Sequence, residues 1–187
     1  AVHSGRRGSR TVSVPARDRG DRTITGVRQG PAVIPLEDTY IENRVLVQPN
    51  DTNNNDTAHG GNVVKWMDEV GAMSAMRFAG QTCVTAHMES VDFHEPIPRG
   101  NAALIEAYAY EAGSTSVNIH LRVFSEDPLS GECKLTTESH FVYVAIDEDG
   151  NPVSVPDLEV TTERGETLKA VALGEETPQP IEEQWSD

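Results

Sequence analysis

Cysteine, lysine and aromatic side chains are all scarce in this chain, and no stretch is uniformly apolar. Its 187 residues include two cysteines, Cys83 and Cys133, which stand alone without CxxC spacing. That excludes a disulfide-rich secreted scaffold and points to reduced thiols in a cytoplasmic compartment. No segment is apolar enough to read as a membrane span or a signal peptide. Lysine occurs only as Lys65, Lys134 and Lys169, and 15 Lys+Arg face 30 Asp+Glu for a net charge of −15. Nucleic acid and anionic membrane are poor partners for such a body. Few lysines, many acids and 5% aromatic residues suit a cytoplasm of very high salt, where screening suppresses self-repulsion, so a halophilic source is expected.

The charge is unevenly spread. Residues 1 to 28 hold Arg6, Arg7, Arg10, Arg17, Arg19, Arg22 and Arg28 against Asp18 and Asp21. With no periodic apolar residues, residues 1–38 read as a basic leader. Residues 39–157 carry the patterned domain, and 158–187 form an acidic tail with one short helix expected around Thr161 to Val171.

Within the domain, Ile41 to Gln48 alternates and stops at Pro49, which predicts a first strand. Thr82 to Phe93, Ala102 to Tyr110, Ser116 to Phe124 and Cys133 to Ile146 read as four more, separated by turns at Pro96, Pro98 and Gly100, at Gly113, and at Asp127 to Gly131. In the fourth, Val117, Ile119, Leu121 and Val123 mark a dry face, and Asn118, His120 and Arg122 a wet one. One long helix precedes these four strands. The expected class is α+β: an antiparallel sheet of about five strands wrapped around one central helix.

The helix carries the most informative stretch. Asn53-Asn54-Asn55-Asp56-Thr57-Ala58-His59 is too rich in Asn and Asp for a strand, so a polar loop feeds a helix that starts near Gly60-Gly61. From Val63 to Phe78 apolar residues occupy nearly every face, which predicts a helix enclosed by other structure, with Met73 and Met76 in its core. Asp68 lies in the middle of it. A carboxylate there needs a partner or a task; as a plain rim residue it would sit beside Glu69, itself paired with Lys65 at four-residue spacing. His59, His87, His94, His120 and His140 lack metal-ligand spacing, so no metal is expected.

Asn53, then Gly60-Gly61, then Asp68 within Lys65-Trp66-Met67-Asp68-Glu69-Val70 closely resembles the loop-to-helix signature of hotdog-fold acyl-CoA thioesterases, the group of small prokaryotic acyl-CoA hydrolases and the animal cytosolic acyl-CoA hydrolase. Val84-Thr85-Ala86, Val91-Asp92-Phe93-His94, Ser114-Thr115-Ser116-Val117 and Tyr143-Val144-Ala145-Ile146 extend the resemblance over Ile41 to Pro156. It departs at Asp56, where the family usually has a glycine; a glycine there suggests a positive φ, which Asp tolerates less well. The family's CoA-binding turn often carries a basic residue, and Gly113-Ser114 does not, which leaves Arg99, Arg122 or Arg77 to meet the CoA phosphates.

The resemblance implies fatty acyl-CoA hydrolysis with no cofactor beyond the coenzyme A of the substrate. Asp68 would be base or nucleophile, Asn53 would hold water or thioester, the N–H of Gly61 would face the thioester oxygen, and Thr85 would position water. Asn55, His59, Gly60, Arg99, Ser114, Thr115 and Ser116 would contact substrate. Dimers assembling further into hexamers are implied, with Asn53 of one chain serving Asp68 of another. Two alternatives stand beside this: a hotdog 3-hydroxyacyl dehydratase using His59, and a non-catalytic acyl-CoA sensor. Residues before Ile41 lack the helical periodicity of the DNA-binding module such sensors carry.

Overall fold

The computed structural model describes residues 33 to 176; most of the basic leader and the end of the acidic tail lie outside them. In order, the elements are β1 (Val33–Pro35), a 3₁₀ turn (Leu36–Thr39), β2 (Ile41–Leu46), α1 (Gly60–Ala79), β3 (Thr82–Met88), β4 (Ala102–Ala112), β5 (Ser116–Glu126), β6 (Cys133–Ile146), β7 (Asp157–Glu159) and α2 (Glu163–Ala172). Strands β2-β4-β5-β6-β3 form one antiparallel sheet in that order. The edges are therefore β2 and β3.

Alternation decides what each face of the sheet does. Ala103, Ile105, Ala107 and Ala109 of β4, Val117, Ile119, Leu121 and Val123 of β5, and Phe141, Tyr143 and Ala145 of β6 share one cluster with Trp66, Met67, Val70 and Phe78 of α1. Three of the four β4 residues are alanine, which lets the helix backbone come close to the sheet. The helix ends at Gly80, whose φ of 64° continues the chain in the left-handed region that favours glycine. Among the described residues no helix is long and apolar enough to cross a membrane.

Several expectations need correction. The face of β5 read as wet is buried: His120 and Arg122 are at most 1% exposed. His120 and Arg122 meet Tyr108 and Glu106 of β4, and the chain after residue 157 folds back onto this side of the sheet. β7 pairs in parallel with β1, and the hydroxyl of Tyr108 donates to the Leu168 carbonyl of α2 at 2.9 Å. Arg122 is matched there by the equally buried Glu106 at 2.5 Å, a pair whose single-partner loss leaves an uncompensated charge. Residues 38 and 157, where boundaries are expected, lie in the 3₁₀ turn and in β7. The strand expected over Thr82 to Phe93 ends at Met88, because Ala86 sits at a register shift and Ser139 donates to the Ser90 carbonyl where ladder pairing would have continued. Finally, α1 is covered on one side only; Met73 and Met76, expected in the core, are 41% and 37% exposed.

Burial of His120 has a measurable consequence. Loss of solvation pushes its pKa down to about 4, against the pull of Glu138 at 3.6 Å. The unfolded chain therefore takes up this proton first, and stability should fall as pH drops from about 6.5 toward 4, by on the order of 3 kcal/mol. Glu138 is held below its ordinary value, chiefly by His120, so its stabilising contribution survives through most of that window and is lost only at more acid pH. Melting temperatures recorded between pH 6.5 and 4.5 should decline less steeply in His120→Gln than in the parent; parallel declines would place the acid sensitivity elsewhere.

Candidate active site

The polar loop is folded by its own side chains. The amide oxygen of Asn53 accepts from the backbone N–H of Asn55 at 2.8 Å, its Nδ2 donates to the Thr57 hydroxyl at 3.0 Å, and the backbone N–H groups of Asn53 and Asp56 close the turn. Asp56 adopts φ 58°, so it takes the left-handed conformation that its glycine-like place in the resemblance demands. Asp tolerates this region better than most side chains, and Arg99 secures it, with its N–H on the Asp56 carbonyl at 2.9 Å and its guanidinium 3.7 Å from the carboxylate.

The loop delivers His59 to the N-cap of α1, where Nδ1 accepts from the Gly61 N–H at 3.0 Å. The Gly61 N–H, expected to face the thioester oxygen, donates here to the imidazole. The Gly60 N–H, by contrast, has no hydrogen bond among the described residues, and it carries the positive end of the helix. In front of it opens a pocket of about 330 Å³ lined by Asn53, Thr57, Gly60, Val63, Phe93 and Ile97 among others.

A second cluster forms two turns along α1. Thr85 donates its hydroxyl to Oδ1 of Asp68 at 2.6 Å, and the Tyr143 hydroxyl lies 3.1 Å from the same oxygen and 3.1 Å from the Asp68 carbonyl. Oδ2 has no hydrogen bond among the described residues. Asp68 is half-buried, whereas Glu69 next to it is exposed and meets Lys65 at 3.5 Å. Tyr143 was not singled out in the sequence, although a tyrosine on the dry face of a strand calls for a hydrogen-bond partner and is a usable signal. Burial, reinforced by the charge of Asp68, pushes its hydroxyl pKa well above the ordinary tyrosine value.

The structure brings Asp68 and Thr85 together, and Asn53, Gly60 and His59 together, but not the two groups with each other. Eight residues of helix separate Gly60 from Asp68, a rise of about 12 Å, which is too far for both to act on one thioester. Ser114 and Thr115, in the turn between β4 and β5, and Ser116, the first residue of β5, lie on the Asp68 side; the Ser114 and Thr115 carbonyls accept from Val155 and Ala145. Asn55 is exposed on the loop, near Arg99. Arg122, buried against Glu106, cannot reach a phosphate, which leaves half-exposed Arg99 and exposed Arg77, whose Nη1 donates to the Tyr40 carbonyl. Among the described residues no group of three or more His, Cys, Asp and Glu is arranged to hold a metal.

Known proteins are similar to this chain in sequence and fold. The family model of the thioesterase superfamily matches residues 55–132. The uncharacterized acyl-CoA thioester hydrolase YkhA of Bacillus subtilis is 37% identical over 127 residues, covering 68% of this chain and 74% of its own. A solved hexameric acyl-CoA thioesterase in its apo form is 38% identical, with a TM-score of 0.70, over 76% of this chain and 92% of its own. The Staphylococcus aureus acyl-CoA hydrolase, solved with butyryl coenzyme A, coenzyme A and coenzyme A disulfide, is 27% identical at a TM-score of 0.70, over 82% and 90%. Alanine variants of that enzyme have been solved at an asparagine, an aspartate 15 residues later and a threonine 17 residues beyond it, the spacing of Asn53, Asp68 and Thr85 here. With this fold and these similarities, the chain belongs to the thioesterase superfamily and is a hotdog-fold thioester hydrolase.

Proposed function

We propose that the chain hydrolyses fatty acyl-CoA to free acid and coenzyme A at a site built from two copies of itself. The observation that carries this reading is the Asp68 carboxylate, fixed by two hydroxyls on Oδ1 and, among the described residues, unbonded on Oδ2 and standing beside an unpaired sheet edge. Oδ2 takes a proton from water, and the resulting hydroxide attacks the thioester carbon. The carbonyl oxygen becomes negative and faces fixed donors at a helix start, foremost the Gly60 N–H. Collapse breaks the C–S bond, and the sulfur leaves with the proton that Asp68 received. Arg99, at the loop, is the guanidinium best placed for the coenzyme phosphates.

Two features argue for the second copy. Among the described residues β3 pairs only with β6, so its outer backbone groups lack partners, a condition proteins rarely leave exposed. Val84 and Met88 on that edge, and Met73 and Met76 on α1, are exposed apolar residues. Joining two sheets along β3 under two-fold symmetry would cover these residues and enclose α1, as its all-round apolar pattern requires. Asn53 and Gly60 of the second copy would then face Asp68 of the first, with the remaining Nδ2 hydrogen of Asn53 on the thioester. Trimers of such dimers would follow the hexameric relative.

Thiol release from a panel of acyl-CoAs of graded length tests the activity directly. Turnover of at least one fatty acyl-CoA is expected without added metal. If none is cleaved and a 3-hydroxyacyl-CoA yields its enoyl form, the enzyme is a dehydratase instead.

A further inference from the structure

The strongest feature beyond these roles is the phenol buried beneath Asp68. Thr85 on β3 and Tyr143 on β6 are register partners, so their side chains leave the sheet on one face with Cβ atoms about 5 Å apart. Both hydroxyls meet Asp68 where α1 crosses that face. The threonine proton goes to Oδ1 at 2.6 Å; the phenol proton is shared between Oδ1 and the Asp68 carbonyl, each 3.1 Å away. Two donors on one oxygen occupy its lone pairs and stop rotation of the carboxylate about its last torsion.

The helix reserves room for this phenol. Gly71 lies three residues after Asp68, on the same side of α1, and a Cβ there would stand 2.4 Å from the Tyr143 hydroxyl oxygen. A glycine in a helix interior costs about 1 kcal/mol relative to alanine. Its presence in an otherwise alanine- and methionine-rich turn is explained by the seat it leaves open.

Resting on the reading of Asp68 as the base, we infer that Tyr143 is a positioning residue for hydrolysis: seated against Gly71, it holds Oδ1 with Thr85 and thereby makes Oδ2 the oxygen that accepts the proton of the attacking water. Tyr143 touches neither water nor thioester. It acts only through the orientation of Asp68. Burial keeps its hydroxyl protonated at any working pH, so it remains a donor throughout.

Tyr143→Phe keeps the ring in the core and deletes the donor. Misorientation of a catalytic group by a fraction of an ångström to one ångström costs up to about a hundredfold, so kcat should fall by about ten- to a hundredfold while KM stays within about twofold. Gly71→Ala, which removes no polar group, should produce the same split by displacing the hydroxyl, and should add little in a Tyr143→Phe background. Melting temperatures of all variants accompany the kinetics. A Tyr143→Phe enzyme with parental kcat, or one whose loss lies wholly in KM, overturns the inference. So does a Gly71→Ala effect on kcat that is undiminished by Tyr143→Phe, since that would be damage to the helix alone. Asp68→Asn separates the two layers: if it is inactive while Tyr143→Phe is unimpaired, only the positioning role falls; if it is active, the reading of the base falls first.

Discussion

Asp68→Asn should reduce acyl-CoA turnover by on the order of 10² to 10⁴, the usual contribution of a general base, with little change in fold or acyl-CoA binding. The substitution is nearly isosteric. The amide oxygen of asparagine can still accept from the Thr85 and Tyr143 hydroxyls that now hold Oδ1, so the packing between α1, β3 and β6 is retained. What disappears is the unbonded oxygen, replaced by an NH₂ group that can only donate. Glu69→Gln supplies the contrast. Glu69 is exposed, and its pairing with Lys65 at 3.5 Å is a surface contact worth under about 1 kcal/mol, so its loss should leave turnover within about twofold of the parent. Steady-state thiol release from both variants, beside an equilibrium measurement of acyl-CoA binding, decides between the carboxylates. The opposite ranking would assign the base to Glu69.

The interior of the molecule was legible because its periodicities are unambiguous. The β6 strand runs from Cys133 to Ile146 as the turn residues before it predict, and α1 begins at Gly60 and ends by Ala79 as the loop composition and apolar residues indicate. Asn53, Asp68 and Thr85 were found because their types and spacing resemble a family signature. What periodicity could not report is contact between distant segments. Alternation in β5 reads identically whether His120 and Arg122 face water or lie buried against Tyr108 and Glu106, and α2, which packs on Tyr108, lies more than forty residues downstream. Three-residue strands such as β1 and β7 are too short to carry a period at all. Tyr143 escaped notice for a related reason: its partner Asp68 belongs to another element, and only the Thr85–Tyr143 register and the gap at Gly71 reveal it. The exposed Met73 and Met76 are a different kind of miss. Sequence indicated burial on all sides of α1, and a single chain covers only the side facing the sheet.

That mismatch leads to the central claim, a site divided between two copies. Two inactive variants, Asn53→Ala and Asp68→Asn, can be purified separately, each showing negligible turnover, and then mixed in equal amounts where subunits exchange. In a mixed dimer one site receives both lesions and the other receives neither. Random exchange makes half of all dimers mixed, and half of their sites are intact, so about a quarter of parental activity should return by symmetry alone. The return should follow the time course of exchange, monitored by fluorescence transfer between labelled subunits. Activity remaining at the level of the separate variants, with exchange shown to be complete, would contradict the account by placing Asn53 and Asp68 at a site within one chain.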